Sequence, residues 1–171
     1  MSDYIDFELN GRMLRLNRED SNDLQVWRDI WGGVILKDPY WRKVGICKSG
    51  GGGYLNSRIC NRTWLLHRIV YKAHNPDWDI NDCSKKNQID HIDGDRTNNH
   101  ISNLRVVTQA QNQQNTKRKG YTYNKREQKW KAYIKLNGKR KHLGYYDTEE
   151  EAKQARAEAV KKYHPYNMRQ S

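Results

Sequence analysis

Gln88-Ile89-Asp90-His91-Ile92-Asp93-Gly94-Asp95-Arg96-Thr97-Asn98-Asn99-His100-Ile101-Ser102-Asn103-Leu104-Arg105-Val106-Val107-Thr108-Gln109-Ala110-Gln111-Asn112-Gln113-Gln114-Asn115 organises the middle of this chain. A short strand is predicted to end at Asp90-His91. Asp93-Gly94-Asp95 makes a turn, and Asn98-Asn99 and Ser102-Asn103 supply polar loop residues. A second strand runs from Leu104 to Val107, and Thr108 is the N-cap of a short polar helix. The order is strand, loop, strand, helix.

The same residues suggest a chemistry. Phosphodiester hydrolysis needs a water nucleophile, a base to deprotonate it, and a cation to offset charge on phosphate and leaving oxygen. Asp90 offers a hard oxygen ligand and His91 an imidazole. Neighbouring strand side chains point to opposite faces, so both serve one site only where the strand bends into a loop. The Asp-Gly turn beyond them fits that bend. Asn112, on the helix, can bring an amide oxygen to the same metal. One carboxylate and one amide leave most of the coordination sphere to water and phosphate, which suits Mg²⁺, with Mn²⁺ expected to substitute. Asn103 can hold the imidazole in the tautomer whose other nitrogen faces the water. Each residue alone has a plainer reading: a surface Asp-His pair, asparagines that satisfy loop backbone, solvated helix residues. Their ordered spacing favours the site.

Taken together, Ile89-Asp90-His91-Ile92-Asp93-Gly94, Asn98-Asn99, Asn103 to Thr108, Asn112 and Asn115 form a pattern that resembles the HNH, or ββα-metal, nucleases of phages and group I introns. Leu66-His67-Arg68-Ile69-Val70 is similar to the His-Arg segment that precedes the motif there. The resemblance covers about residues 40–116. It implies His91 as general base, Asp90 and Asn112 as metal ligands, and Asn103 as the organiser of the loop around the base. For His67 two readings stay open, a packed or capping histidine and a role at the phosphate.

Beyond this stretch, the chain has 171 residues and a formal charge of +12, from 32 Lys and Arg against 20 Asp and Glu. The excess is local. Residues 1–115 carry 16 basic and 14 acidic side chains, whereas residues 116–171 carry 16 and 6. A basic module on a near-neutral body points to a polyanion partner, most often nucleic acid. No apolar run approaches the ~20 residues that span a bilayer, and no secretory leader opens the sequence. A cytoplasm is therefore the expected compartment, and the resemblance to phage nucleases implies that of a bacterial host. Three cysteines, Cys47, Cys60 and Cys83, form no Cys-x-x-Cys pair, so reduced thiols are the simpler reading and a zinc site with His67 the lesser one.

The basic module has its own pattern. Trp130, Ala132, Ile134 and Leu136 alternate with Lys129, Lys131, Tyr133 and Lys135, which is a half-buried strand. Asn137-Gly138 is a hairpin turn before a return strand at 139–146. Thr148-Glu149-Glu150-Glu151 is a capping box opening a helix whose Ala152, Ala155, Ala159 and Tyr163 cover the sheet. Gly120-Tyr121, Lys129 to Ala132, Asn137 to Arg140 and Leu143 to Glu150 resemble an APETALA/ethylene-response-type DNA-binding domain, a three-stranded sheet backed by a helix. By matching position that resemblance puts Lys119, Thr122, Lys131, Tyr133, Lys135, Arg140 and His142 against DNA. Several positions that are Arg or Trp in the plant domains are Lys, Thr or His here. Phosphate attraction carries over; base readout does not.

Elsewhere Asn10-Gly11 between alternating apolar residues predicts a hairpin, and Leu24, Trp27, Ile30 and Trp31 fit an amphipathic helix. Gly50 to Gly53 lacks the Lys-Ser/Thr of a phosphate loop and reads as a hairpin tip. Strands are expected at 43–46 and 54–59, and a helix from His67 to before Pro76. The expected whole is α+β: an accessory segment (1–38) with a scaffold or minor-groove role, a ββα-metal nuclease (39–116) and the basic sheet-plus-helix module (117–171). A site-specific, divalent-metal-dependent DNA endonuclease of the homing type is the expected activity. One motif means one active site, so a monomer on double-stranded DNA would nick one strand. A non-catalytic DNA-binding regulator and an RNA-binding protein are the rival classes.

Overall fold

The computed structural model describes residues 2–31, 33–115, 118–136 and 138–167. They form several small antiparallel sheets and few helices, distributed over two compact units. The first draws on residues 1–84, 89–91 and 95–106, the second on 85–88, 92–94 and 107–171.

The first unit opens with a four-stranded sheet in sequential order: β1 (Tyr4–Leu9), β2 (Arg12–Asn17), β3 (Leu24–Trp31) and β4 (Val34–Lys43). Asn10 and Gly11 both take left-handed backbone, φ 51° and 72°, and Leu9 pairs with Arg12 across them. That is the two-residue turn this dipeptide favours. The helix expected from Leu24 onward is instead strand β3. Leu24 pairs with Leu16 and Val26 with Leu14, all four buried, while Gln25 on the opposite face accepts hydrogen bonds from Arg15 at 3.0 and 2.7 Å. Over eight residues helical and alternating apolar spacing overlap. The unpaired edge of β2 and a β-branched, aromatic-rich sequence favour the strand. The expected boundary between residues 38 and 39 falls inside β4.

A second sheet orders β5 (Ile46–Lys48), β6 (Leu55–Ile59) and β7 (Arg62–Leu65), with the four glycines at its first hairpin tip. Helix α1 (Leu66–His74) follows at once and presents Leu66, Ile69, Val70 and Ala73 to the core. These pack with Leu14, Leu16, Leu24, Ile59, Trp64, Ile89 and Leu104. Each buried leucine or isoleucine contributes about 1.5–3 kcal/mol by leaving water.

Strands β8 (Gln88–His91) and β9 (Leu104–Val107) pair with each other, joined by a loop that ends in a 3₁₀ turn, Ile101–Asn103. After β9 comes α2 (Gln109–Asn112). Thr108 caps it with a full capping box: its hydroxyl accepts from Gln111 N–H and the Gln111 side chain accepts from Thr108 N–H.

The second unit contains a three-stranded sheet of β10 (Tyr121–Asn124), β11 (Lys129–Leu136) and β12 (Lys139–Tyr146), with α3 (Glu149–Tyr163) packed on β11 and β12. Ile134, Ala159 and Val160 form its core, flanked by Leu136, Leu143 and Tyr163. The capping box at Thr148 and Glu151 is present. Of the expected Asn137-Gly138 turn, Asn137 lies outside the described residues; Leu136 and Lys139 pair on either side of it. Among the described residues no helix is long and apolar enough to cross a membrane.

Candidate active site and nucleic-acid interface

Strand β8 buries its last two residues, Asp90 and His91, at 3% and 4% exposure. Two adjacent buried polar side chains are costly unless each has a partner. Arg105, on the paired strand β9, donates Nε–H and Nη2–H to the same Asp90 oxygen, Oδ2, at 3.0 and 2.7 Å. Imidazole Nε2 of His91 lies 2.9 Å from Asn99 Oδ1. With that amide oxygen toward the ring, Nε2 carries the proton and Nδ1 the lone pair.

Around His91 stands a small ring cluster. The His67 ring, from the first turn of α1, is 5.1 Å from it, Tyr54 is 5.9 Å away, and Tyr54 and His67 are 5.2 Å apart. Burial pushes the His67 pKa down to about 3, and the nearby His91 and Arg68 act in the same direction. His67 is therefore neutral at physiological pH. Its Nδ1 is buried without a hydrogen-bond partner among the described residues. Arg96 fixes the glycine tip above this cluster by donating to the Gly52 carbonyl at 2.7 Å and stacking its guanidinium 4.8 Å from the Tyr54 ring.

Asn103 lies in the same unit as Asp90 and His91 and donates Nδ2–H to the Asn98 carbonyl at 2.8 Å, a bond across the loop that carries Asn99. Asn99, which by sequence alone reads as a loop-satisfying residue, is a hydrogen-bond partner of the imidazole. Arg105 and Tyr54 likewise have no role that the sequence assigns. The Asn98-Asn99 dipeptide is visible in the motif. A strand-paired arginine and a tyrosine from a separate hairpin carry no local signal.

Asn112 is the last residue of α2 and belongs to the second unit, where Asn115 just beyond it donates to the Ile92 carbonyl at 3.1 Å. A carboxylate and an amide oxygen are hard donors suited to Mg²⁺. Among the described residues no three His, Cys, Asp or Glu side chains gather as a metal cluster, and Cys47, Cys60 and Cys83 are separately exposed thiols.

In the second unit, strand register shows which expected DNA-facing residues share a surface. Thr122 pairs with Lys131, Tyr133 with His142, and Lys135 with Arg140. They alternate with Ala132 and Ile134, which are fully buried, so these six occupy the face turned away from α3. Cations and rings interleave there. Arg140 lies 5.1 Å over the Tyr133 ring, Lys131 5.9 Å over Tyr145, and His142 meets Tyr145 at 4.8 Å. Lys119 precedes β10, with its ammonium 5.9 Å from the Tyr121 ring.

Residues 65–114, which take in α1, β8, β9 and α2, match the family model described as HNH endonuclease. The chain is also 34% identical over 100 residues to the "SPbeta prophage-derived putative HNH homing endonuclease YosQ" of Bacillus subtilis (strain 168), an overlap of 56% of this chain and 54% of that protein. The matched region spans about half of the relative's length. No solved structure matches the chain.

Proposed function

We propose that this protein is a divalent-metal-dependent DNA endonuclease of the homing type, cutting one strand of duplex DNA per monomer in a bacterial cytoplasm. The observation that carries the reading is the pair at the end of β8: a buried carboxylate held by Arg105 beside a buried imidazole held by Asn99. The HNH match over the same residues and the homing-endonuclease name of the relative support it.

In this reading β8, β9 and α2 are the ββα-metal core. Asp90 and Asn112 would hold Mg²⁺, or Mn²⁺ in its place, which would offset charge on the phosphate and the leaving oxygen. His91 takes a proton from water at Nδ1, and Asn99 keeps the ring in the tautomer that can accept it. Asn103 braces the loop through the Asn98 carbonyl. The water attacks phosphorus in line and the 3′ oxygen departs, leaving 3′-hydroxyl and 5′-phosphate ends. The three-stranded sheet with α3 acts as an APETALA-type anchor. Lys119, Thr122, Lys131, Tyr133, Lys135, Arg140 and His142 meet the DNA, mainly through its phosphates.

The test is a sequencing map of breaks in mixed phage and bacterial DNA, with Mg²⁺, with EDTA, and with His91→Ala. Recurrent nicks at one extended sequence, absent with EDTA and reduced about 10²–10⁴-fold in the variant, are the expected result. Duplex binding at defined sites with no metal-dependent nick there, even at high protein concentration, would replace this reading with that of a DNA-binding regulator.

A further inference from the structure

Arg156 is an anomaly in the second unit. It sits on the face of α3 that packs on the sheet, only 5% exposed, yet among the described residues neither Nε nor Nη1 has a hydrogen-bond partner. Burial disfavours its guanidinium charge, and among the described residues no carboxylate pairs with it. A buried guanidinium with no counter-charge is expensive. The fold nevertheless makes room for it. Gly120 adopts φ 69°, and a Cβ there would collide with the Arg156 guanidinium.

Arg156 lines a cavity of about 950 Å³, and so do two other side chains with a buried polar atom that has no partner among the described residues, Gln114 at Oε1 and His164 at Nδ1. His164 Nε2–H donates to the Lys135 carbonyl at 2.9 Å, which leaves Nδ1 as an acceptor in the neutral ring or a second donor in the imidazolium. Arg118, Lys135 and Arg140 also line the cavity, and among the described residues no Asp or Glu does.

We propose that this cavity is a phosphate-binding site. A phosphate supplies the missing counter-charge to Arg156, and its oxygens accept from a guanidinium fork as few other anions can. A protonated phosphate oxygen also donates to Gln114 or His164. The proposal goes beyond the nuclease reading and needs no bond cleavage. The phosphate can belong to a free phosphate compound or to the backbone of a nucleic acid strand.

The test is a ¹H–¹⁵N spectrum of the full chain, following the Arg156 Nε–H and the Gly120 N–H, with Arg156→Lys used only to assign the former. Inorganic phosphate is titrated against chloride at equal ionic strength, and a short DNA duplex is then added without metal. Saturable movement of both signals with phosphate, absent with chloride, is expected. Displacement of phosphate by the duplex, or movement with the duplex alone, assigns the site to backbone phosphate. Saturation that the duplex does not compete for assigns it to a free phosphate compound. If neither phosphate nor duplex moves the signals beyond the chloride control, the proposal falls, whatever becomes of the nuclease activity.

Discussion

Asn99 Oδ1 lies 2.9 Å from His91 Nε2, and the Asn99 side chain is almost entirely buried while it does so. The asparagine comes from the loop between β8 and β9, eight residues along the chain from the histidine it holds. Its own loop is braced by Asn103 donating to the Asn98 carbonyl. Two hydrogen bonds thus tie this loop: His91 to the Asn99 amide, and Asn103 to the Asn98 carbonyl next to it.

Asn99→Ala is expected to lower the cutting rate about 10–100-fold, the effect of losing one hydrogen bond of ~1.5–3 kcal/mol to a group that becomes charged. Asn99→Asp should keep the ring in place and stabilise the imidazolium, so the acid limb of the pH–rate profile moves to higher pH. Single-turnover rates across pH, on the nicked site, distinguish the two. An Asn99→Ala rate equal to wild type would remove Asn99 from the mechanism.

Arg105 and Asp90 bear on stability. Arg105→Met leaves a carboxylate at 3% exposure without its two-pronged cation. A loss of roughly 3 kcal/mol is expected, at the lower end for a broken buried pair because Arg105 itself is partly exposed. Urea unfolding measures it. The double variant with Asp90→Asn should recover part of the loss, since the carboxylate that lost its cation is then gone; a purely additive double variant would contradict the pairing.

His67 imposes a pH dependence on folding. Its pKa in the folded chain is about 3 against an ordinary 6.5, so the folded state prefers the neutral ring. Its contribution is complete above pH 6.5 and is lost as pH falls toward 3, by up to about 1.4 kcal/mol per pH unit for the one proton. Denaturation midpoints between about pH 7 and pH 4 should fall less steeply in His67→Leu than in wild type. Parallel curves would show that the ring titrates freely in both states.

Lys131 and Lys135 stand on the sheet face turned away from α3, at register positions opposite Tyr145 and Arg140. Replacing both with Gln should weaken duplex binding and reduce the slope of log K against log salt by about 0.9 for each phosphate no longer neutralised. Binding titrations from low to moderate salt test this. An unchanged slope would place the DNA on another surface.

Legibility in the sequence depends on whether the signal is local. The pairing of Leu9 with Arg12 across Asn10-Gly11, the Thr108 and Thr148 capping boxes, the alternation in β11 and the Asp90-His91 strand end rest on short-range rules, and each is present in the structure. The segment from Leu24 to Trp31 is the opposite case. Its apolar spacing suits helix and strand alike, and the free edge of β2 settles between them. Residue types capable of hydrolytic chemistry, and the location of the positive charge, are written in the chain itself, because composition and spacing are properties of the chain. That Asn99 holds His91, that Arg105 neutralises Asp90, and that Arg156 is buried without a counter-charge among the described residues came from the fold. Those partners meet through strand pairing and helix packing, and burial gives each interaction its energetic weight by removing the water that would otherwise compete for it.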